Sequence, residues 1–580
     1  MGAHSLAGSI KNLAGTLLRA AILKVIARPV RRIVRRFEIA TTEPQLHQET
    51  ILRRILEYHR ATDFARDHHF DAIGDIAQFR RNVPVATYDY FEPYLARVRR
   101  GDFRALLADR RVYMFALTSG TTGARKSIPV TQQYLDDYRR GWMQWALRAN
   151  REHPEIRLRP IVQLSDSSDE FRTEAGIPCG SASGLTASMQ NRFVRSIYCV
   201  PVCVGKIKDS ASRAYVALRL SLPCRVGMVL TANPSTLVML ARTGNQEKEA
   251  LIRDLYDGTL HAKCVLPDDV RTELHRRLTK RHRERACELE AIVNRTGTLH
   301  PKDYWPTACL LGTWTGGSMA AYLRQFPRYF GQTPIRDIGL IASEGRMTIP
   351  VRDGTPGGVL DITSHYFEFI PESEIDCTRP SVLAAHELQE GGKYFILLTT
   401  AFGLYRYNIH DLVRVTGVFN RTPIIEFLNK GTHFANMTGE KLSEYHVTRA
   451  MSEALSEFDL SLTAYSLAPC WDDIQPYYGL FVERSDFSTT DHALRLAEQV
   501  DSGLRRHNIE YASKRGSRRL GPVRLEMMAP GTWEEWDHRQ MARNGGPETQ
   551  YKHPCLITDS HFRETVCVEQ ELVPSGSLSK

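Results

Sequence analysis

"MFALTSGTTGARKSIPVT", Met114 to Thr131, is an apolar run that breaks into hydroxyls and glycines, then a lysine and a proline, with a helical pattern from Gln132. A strand entering a Gly/Ser/Thr turn presents backbone N–H groups that no side chain blocks. The hydroxyls add donors, and Lys126 adds positive charge. Such a turn is a cradle for phosphate oxygens. It is not a Walker A loop, because GxxxxGK[ST] is absent. Two other readings stand beside this one. Ser119 as a hydrolase nucleophile lacks the GxSxG elbow and leaves the neighbouring hydroxyls surplus. A plain surface loop often has this composition too.

The 580 residues, 42% of them hydrophobic, are too many for one core, so two or more domains are expected. No segment has the uninterrupted apolar length of a membrane span. The 11 cysteines form no CxxC pair, and the nearest two, Cys199 and Cys203, are separated by three residues. This reads as reduced thiols in a cytoplasmic protein, not a disulfide framework or a zinc site. The net charge of +10 is uneven. Residues 1–36 carry Lys11, Arg19, Lys24, Arg28, Arg31, Arg32, Arg35 and Arg36 and no acid. Leu13, Leu17, Ala21, Val25 and Ile26 recur between them at helical spacing. Arg19 and Lys24 interrupt the apolar run, which argues against a cleaved signal peptide. Residues 1–40 therefore read as a basic amphipathic helix. Packing on its own protein with arginines in solvent is favoured over a membrane-surface helix. Elsewhere charge is nearly balanced, so no nucleic-acid partner is expected.

Residues 40–110 read as mostly helical, for example Gln48 to Tyr58 with its Ile51, Leu52, Ile55, Leu56 face. From about 112 to 430, short apolar runs such as "RPIVQLS", "RVGMVLT", "KYFILLTT" and "LVRVTGVF" alternate with helical stretches, which predicts an α/β domain with several sheets. Residues 245–300 read as charged and helical around "RTELHRRLTKRHRERACELEAIV", a solvated face. Helix "EYHVTRAMSEAL", strands "LTAYSLAP" and "YYGLFVE", and helix "DHALRLAEQVDSGLRRHN" predict a small α+β domain at the C-terminal side. "DHHF" reads as a helix-end cluster and "WEEW" as packing.

"TSGTTGARK" resembles the phosphate loop of adenylate-forming enzymes. Further along, in order, stand "ANPSTLVMLAR", "TWTGGSMAAYLRQFPRYFG", "IGLIASEGRMTIPV", "SHYFEFIPESE", "LLTTAFGLYRYNIHDLVRVTG", "EFLNKGTHFANMTGEKLSE" and "TQYKHPC". Together they resemble the bacterial branch of the plant-hormone acyl acid amido synthetases, the Gretchen Hagen family, from about Pro44 to about Pro554. The resemblance implies a large multi-sheet α/β domain over 41–428, a hinge at 429–434 around Gly431, and a small mobile α+β domain over 435–580, the adenylate-forming enzyme fold. It implies ATP and Mg²⁺. A carboxylate attacks the α-phosphate to give acyl-AMP and pyrophosphate, and an amine, usually of an amino acid, then takes the acyl group.

The same resemblance assigns residues. Thr118, Ser119, Gly120, Thr121, Thr122, Gly123 and Lys126 would hold the β- and γ-phosphates. Ala342, Ser343 and Glu344 would line the nucleotide site, with Glu344 holding Mg²⁺. Gly316, Gly317 and Ser318 would let adenine approach the backbone, a tight packing turn being the alternative. Asp411 would accept from the ribose hydroxyls. Lys441 and Lys552 are the candidate lysines of the small domain. His410 stands where the family pattern has glycine, and Asn408 where aspartate is common. We read His410 as an outward-facing loop residue. The second nucleophile is open between an amine and a thiol such as CoA. A nucleotide-binding protein that has lost catalysis and a peripheral membrane enzyme complete the alternatives.

Overall fold

The computed structural model describes residues 31–117, 126–165, 167–190, 192–375, 377–430, 434–435, 437–438, 440, 442–472, 475–516, 520–544 and 551–574. Contacts divide the chain into two units. The first is Met1–Thr315, Phe326–Ile409 and Arg414–Glu426; the second is Gly316–Gln325, His410–Val413 and Phe427–Lys580.

In the first unit, residues 31–40 are helical. Val34, Phe37 and Ala40 are buried on one face while Arg31, Arg32, Arg35 and Arg36 stay exposed. Phe37 packs with Ile349 and Val359. The basic segment before residue 31 lies outside the described residues. Helix Pro44–His59 starts with proline at a position that needs no N–H and buries Ile51, Leu52, Ile55 and Leu56.

A mixed sheet has the order Ser127–Val130, Met114–Leu117, Pro178–Gly180, Phe171–Arg172. Its first two strands are antiparallel, with Leu117 opposite Ser127. The residues between them therefore connect neighbouring strands, and helix Gln132–Glu152 follows, its N-terminus capped by Thr131. A second sheet is wholly parallel, in the order Ile161–Gln163, Met228–Leu230, Leu310–Gly312, Ile335–Arg336. The third has seven strands, in the order Thr348–Ile349, Gly358–Leu360, Thr422–Lys430, Tyr407–Phe419, Lys393–Thr399, Tyr366–Pro371, Leu383–Ala384.

The charged helical stretch 245–300 holds three whole helices, Lys248–Asp257, Asp268–Leu278 and Arg283–Thr296. The break between the last two has a cause. The fully buried Arg219 guanidinium donates to the carbonyl of Leu278 (2.8 Å), the last residue of its helix, and to that of Lys280 (3.1 Å) in the connection, which pairs these acceptors without continuing the helix.

The second unit is built on the sheet Ser466–Trp471, Pro476–Glu483, Arg524–Met528, Val568–Leu572. Side chains of Pro476–Glu483 alternate between two cores. Tyr478, Leu480 and Val482 join helices Glu444–Glu457 and Thr490–His507, and Tyr477 and Phe481 join Trp533 and Phe562. Both faces are covered, which is why this strand reads as a continuous apolar run. Trp533 and Trp536 of "WEEW" are packing residues, edge-on to each other at 5.8 Å.

Candidate active site

Ser343 and Glu344 form the two-residue tip of a hairpin whose strands are Ile341–Ala342 and Gly345–Arg346. Gly345 has φ +134, and a Cβ there would lie 2.6 Å from His365 Nε2, so only glycine fits after Glu344. Burial lowers the His365 pKa to about 4, so the ring packed here is neutral at pH 7. On the next position Arg346 runs across helix Gln132–Glu152 at Gly141, where a Cβ would sit 2.2 Å from its Cδ. Its guanidinium lies 4.6 Å from the Trp142 ring and donates to the carbonyls of Ile338 and Thr348. These contacts fix the turn that presents Glu344.

Ser343 Oγ donates to the Leu117 carbonyl at 3.2 Å, which ties the turn to the end of strand Met114–Leu117. Lys126, where the described chain resumes before strand Ser127–Val130, donates to the Tyr407 hydroxyl at 3.4 Å. That hydroxyl donates in turn to Glu344 Oε1, also at 3.4 Å. Glu344 and Tyr407 are buried. Lys126 Nζ also lies 5.7 Å from the centre of the Tyr88 ring. The Tyr88 hydroxyl accepts from Ser127 N at 2.9 Å, and burial pushes its pKa up to about 12. A cation and a carboxylate thus converge on one phenol. This donor set has the chemistry to meet a phosphate oxygen and a hard divalent cation together.

At the carboxyl ends of the parallel sheet, Asp337 organises the turn that leads to Gly316. Its carboxylate accepts from Thr315 N (2.7 Å), Thr315 Oγ1 (2.8 Å) and Gly339 N (2.6 Å). Burial outweighs these bonds and raises its pKa to about 6. Crevices at the carboxyl ends of parallel strands are where open α/β sheets place ligands.

In the second unit, Gly317 has φ +59, and a Cβ there would approach Leu428 O to 3.0 Å and the Phe427 ring to 3.3 Å. The same Phe427 ring carries Lys552, whose Nζ is 5.5 Å from its centre. The adenine-loop candidate and the late lysine therefore share a neighbour.

Asp411 is buried within strand Tyr407–Phe419. His410 beside it corrects our reading of an outward-facing loop residue. It lies in that strand, half-buried, with φ +60. It adopts the left-handed conformation that glycine favours. Arg406 is also left-handed, φ +46. It is held by Glu368 Oε2 at 2.9 Å, by the Arg80 and Val83 carbonyls, and through its own N–H by Thr399 Oγ1.

Thr118, Ser119, Gly120, Thr121, Thr122, Gly123, Gly431 and Lys441, together with the Ser318 side chain, lie outside the described residues. Tyr407, Asp337 and Tyr88 were not singled out from the sequence. Tyr407 sits inside the quoted "YRYNIHD", but nothing in that spacing says which tyrosine reaches Lys126 and Glu344. In "DHHF", His68 is satisfied by the Phe64 carbonyl and the Tyr90 hydroxyl, and Asp67 accepts from the Tyr94 hydroxyl. The one metal-like cluster among the described residues is Glu152, His153 and Asp353. Both of its carboxylates pair with the buried Arg336 guanidinium, which makes it an ion-pair network.

Known proteins agree with this architecture. The jasmonoyl--L-amino acid synthetase JAR6 of Nicotiana attenuata is 26% identical over 552 residues, 91% of this chain and 93% of its own length. The indole-3-acetic acid-amido synthetase GH3.3 of Arabidopsis thaliana is 22% identical over 560 residues, 92% of this chain and 93% of its own. Among solved structures, the GH3.15 acyl acid amido synthetase has the same fold, with TM-score 0.81 at 21% identity, covering 93% of this chain and 97% of that one. No helix among the described residues is long and apolar enough to cross a membrane. Residues 33–335 match the GH3 family N-terminal domain, 358–430 its central domain and 445–561 its C-terminal domain; with all three in order along it, the chain belongs to the GH3 family.

Proposed function

We propose that this chain is an ATP-dependent acyl acid amido synthetase of the family's bacterial branch. It forms an acyl-adenylate from a small carboxylic acid and conjugates the acyl group to an amino acid. The observation that carries the reading is the convergence of Lys126 and Glu344 on the Tyr407 hydroxyl beside the end of strand Met114–Leu117. Relatives named as jasmonoyl-amino acid and indole-3-acetic acid-amido synthetases support the reaction class. Identities of 22–26% with those plant enzymes are in keeping with a separate branch.

In the first step negative charge gathers on the α-phosphate and the leaving pyrophosphate. Lys126 offsets that charge on the phosphate chain. Glu344 is the carboxylate that would hold Mg²⁺, which neutralises phosphate charge when bound. Asp411 accepts from the ribose hydroxyls, and the Gly316–Gly317 backbone admits the adenine ring. Donors fixed in this way lower such barriers by about 2.7–4 kcal/mol each. In the second step the amine attacks the acyl carbon and AMP leaves. Lys552 serves the first step from the small domain. Eleven unpaired thiols favour a cytoplasmic setting.

The test is pyrophosphate exchange across a panel of carboxylic acids, followed by mass spectrometry of products formed with amino acids or with CoA. Acid-dependent exchange and an amide product are expected. Exchange with a thioester product instead moves the chain to the acyl-CoA ligases, and no exchange with any acid sinks the reading.

A further inference from the structure

Lys552 is exposed, and most lysines in that position point wherever solvent takes them. Its neighbours are fixed. The Tyr551 hydroxyl donates to Asp537 Oδ1 at 2.8 Å, and His553 Nδ1 lies 2.8 Å from the same oxygen. His553 Nε2 lies 3.0 Å from Ser466 Oγ, which also donates to the Pro554 carbonyl at 2.6 Å. Beyond these, the backbone continues the clamp. Leu467 N donates to Cys555 O, and Ile557 N donates to Leu467 O, both at 2.9 Å, so the segment covers the edge strand Ser466–Trp471.

Ser466, His553 and Asp537 have the distances of a nucleophile relay, but they cannot work as one. Ser466 is 0% exposed, and its hydroxyl is committed to Pro554. What the set can do is hold a segment. One carboxylate oxygen, from helix Thr532–Asn544, binds the residues on both sides of Lys552. The His553 ring is further wedged between Trp533 (4.5 Å) and Trp536 (5.7 Å) on the same helix. With its neighbours pinned, Lys552 has its stem direction set.

We propose that Asp537 is a positioning residue for Lys552, aiming the lysine through Tyr551 and His553. The inference rests on the proposed role of Lys552 in adenylate formation. It adds a residue that touches no substrate, and it explains why the buried Ser466 and His553, with the half-buried Asp537, lie behind an exposed lysine.

The test uses the full-length protein with Asp537→Asn, and Tyr551→Phe as a milder variant that removes one of the two bonds. Two readouts are needed. The first is amide hydrogen exchange over residues 551–555, which should speed up in both variants. The second is a pair of single-turnover measurements. Adenylate formation from acid and ATP should fall on the order of tenfold or more in Asp537→Asn. Amide formation from supplied acyl-adenylate should stay near wild type. Asp537→Asn added to Lys552→Ala should cost nothing further. Unchanged hydrogen exchange, equal losses in both half-reactions, or losses that add to those of Lys552→Ala would each overturn the proposal. If the wild type activates no acid, the functional reading fails by itself, and hydrogen exchange still decides whether Asp537 fixes the segment.

Discussion

The Tyr407 hydroxyl lies 3.4 Å from Glu344 Oε1, and through that one oxygen the metal-binding candidate is joined to Lys126. The ring is fully buried and edge-on to Phe91 at 5.9 Å, so it packs independently of its hydroxyl. Tyr407→Phe should therefore fold. Losing a hydrogen bond of about 1 kcal/mol should raise the Mg²⁺ concentration for half-maximal exchange about fivefold. Tyr405 is the control: it is equally buried, and its hydroxyl makes no hydrogen bond among the described residues. Tyr405→Phe should leave the magnesium titration where it was.

Removing the charges themselves should do more. Lys126→Ala should slow pyrophosphate exchange about a hundredfold or more and raise the ATP requirement, because a fixed cation for phosphate is lost. Glu344→Gln keeps the shape of the turn and should weaken Mg²⁺ dependence with folding intact. Unchanged exchange in Lys126→Ala would give the Met114–Thr131 stretch another purpose, and a wild-type magnesium titration for Glu344→Gln would rule out its metal role.

His410 holds a left-handed backbone, φ +60, that costs a non-glycine residue about 1–2 kcal/mol. His410→Gly should be neutral to mildly stabilising in urea unfolding. His410→Val should lose about 1–2 kcal/mol, because a β-branched side chain fits that region worst. A stable valine variant would mean that the strand relaxes around position 410.

Asp337 carries a pH signature. Its folded pKa, about 6, lies above the ordinary value of 3.8. The folded state therefore holds this proton more tightly than the unfolded chain. The stabilisation is complete below pH 3.8 and is lost as pH rises through 6. Asp337→Asn does not titrate, so its stability relative to wild type should climb between about pH 4 and 6, by up to ~3 kcal/mol. A difference that stays flat over that range would show that Asp337 titrates normally.

The arginine-rich helix should not bind membranes strongly. Over residues 31–40 most of its apolar face is used internally, with Phe37 against Ile349 and Val359, which leaves Ile39 as the large apolar side chain exposed beside the arginines. Sedimentation with anionic vesicles should be weak. Salt-sensitive binding that disappears on deleting residues 1–36 would reverse this, since surface attraction decays over about 8–10 Å at physiological salt.

Much of the architecture could be read from local pattern. The stripe Ile51, Leu52, Ile55, Leu56 predicts helix Pro44–His59, and the run "YYGLFVE" predicts strand Pro476–Glu483, because periodicity and continuous apolarity are properties of neighbouring residues. The collinear motifs led to the family for the same reason: each is a short contiguous string. The break in the charged helices needed Arg219, a side chain at least 59 residues away, to supply the cap. The left-handed backbone at His410 is absent from any apolar pattern, since a histidine there looks like an ordinary loop residue. The links that make a site are farther apart still. Lys126 meets Tyr407 across 281 residues, Tyr407 meets Glu344 across 63, and Thr315 meets Asp337 across 22. Sequence alone named the residue types that phosphate, metal and ribose chemistry needs. Only the tertiary structure decided which tyrosine joins the lysine to the carboxylate and which aspartate stands behind Lys552, because hydrogen bonds are fixed by position in space and leave no period in the chain.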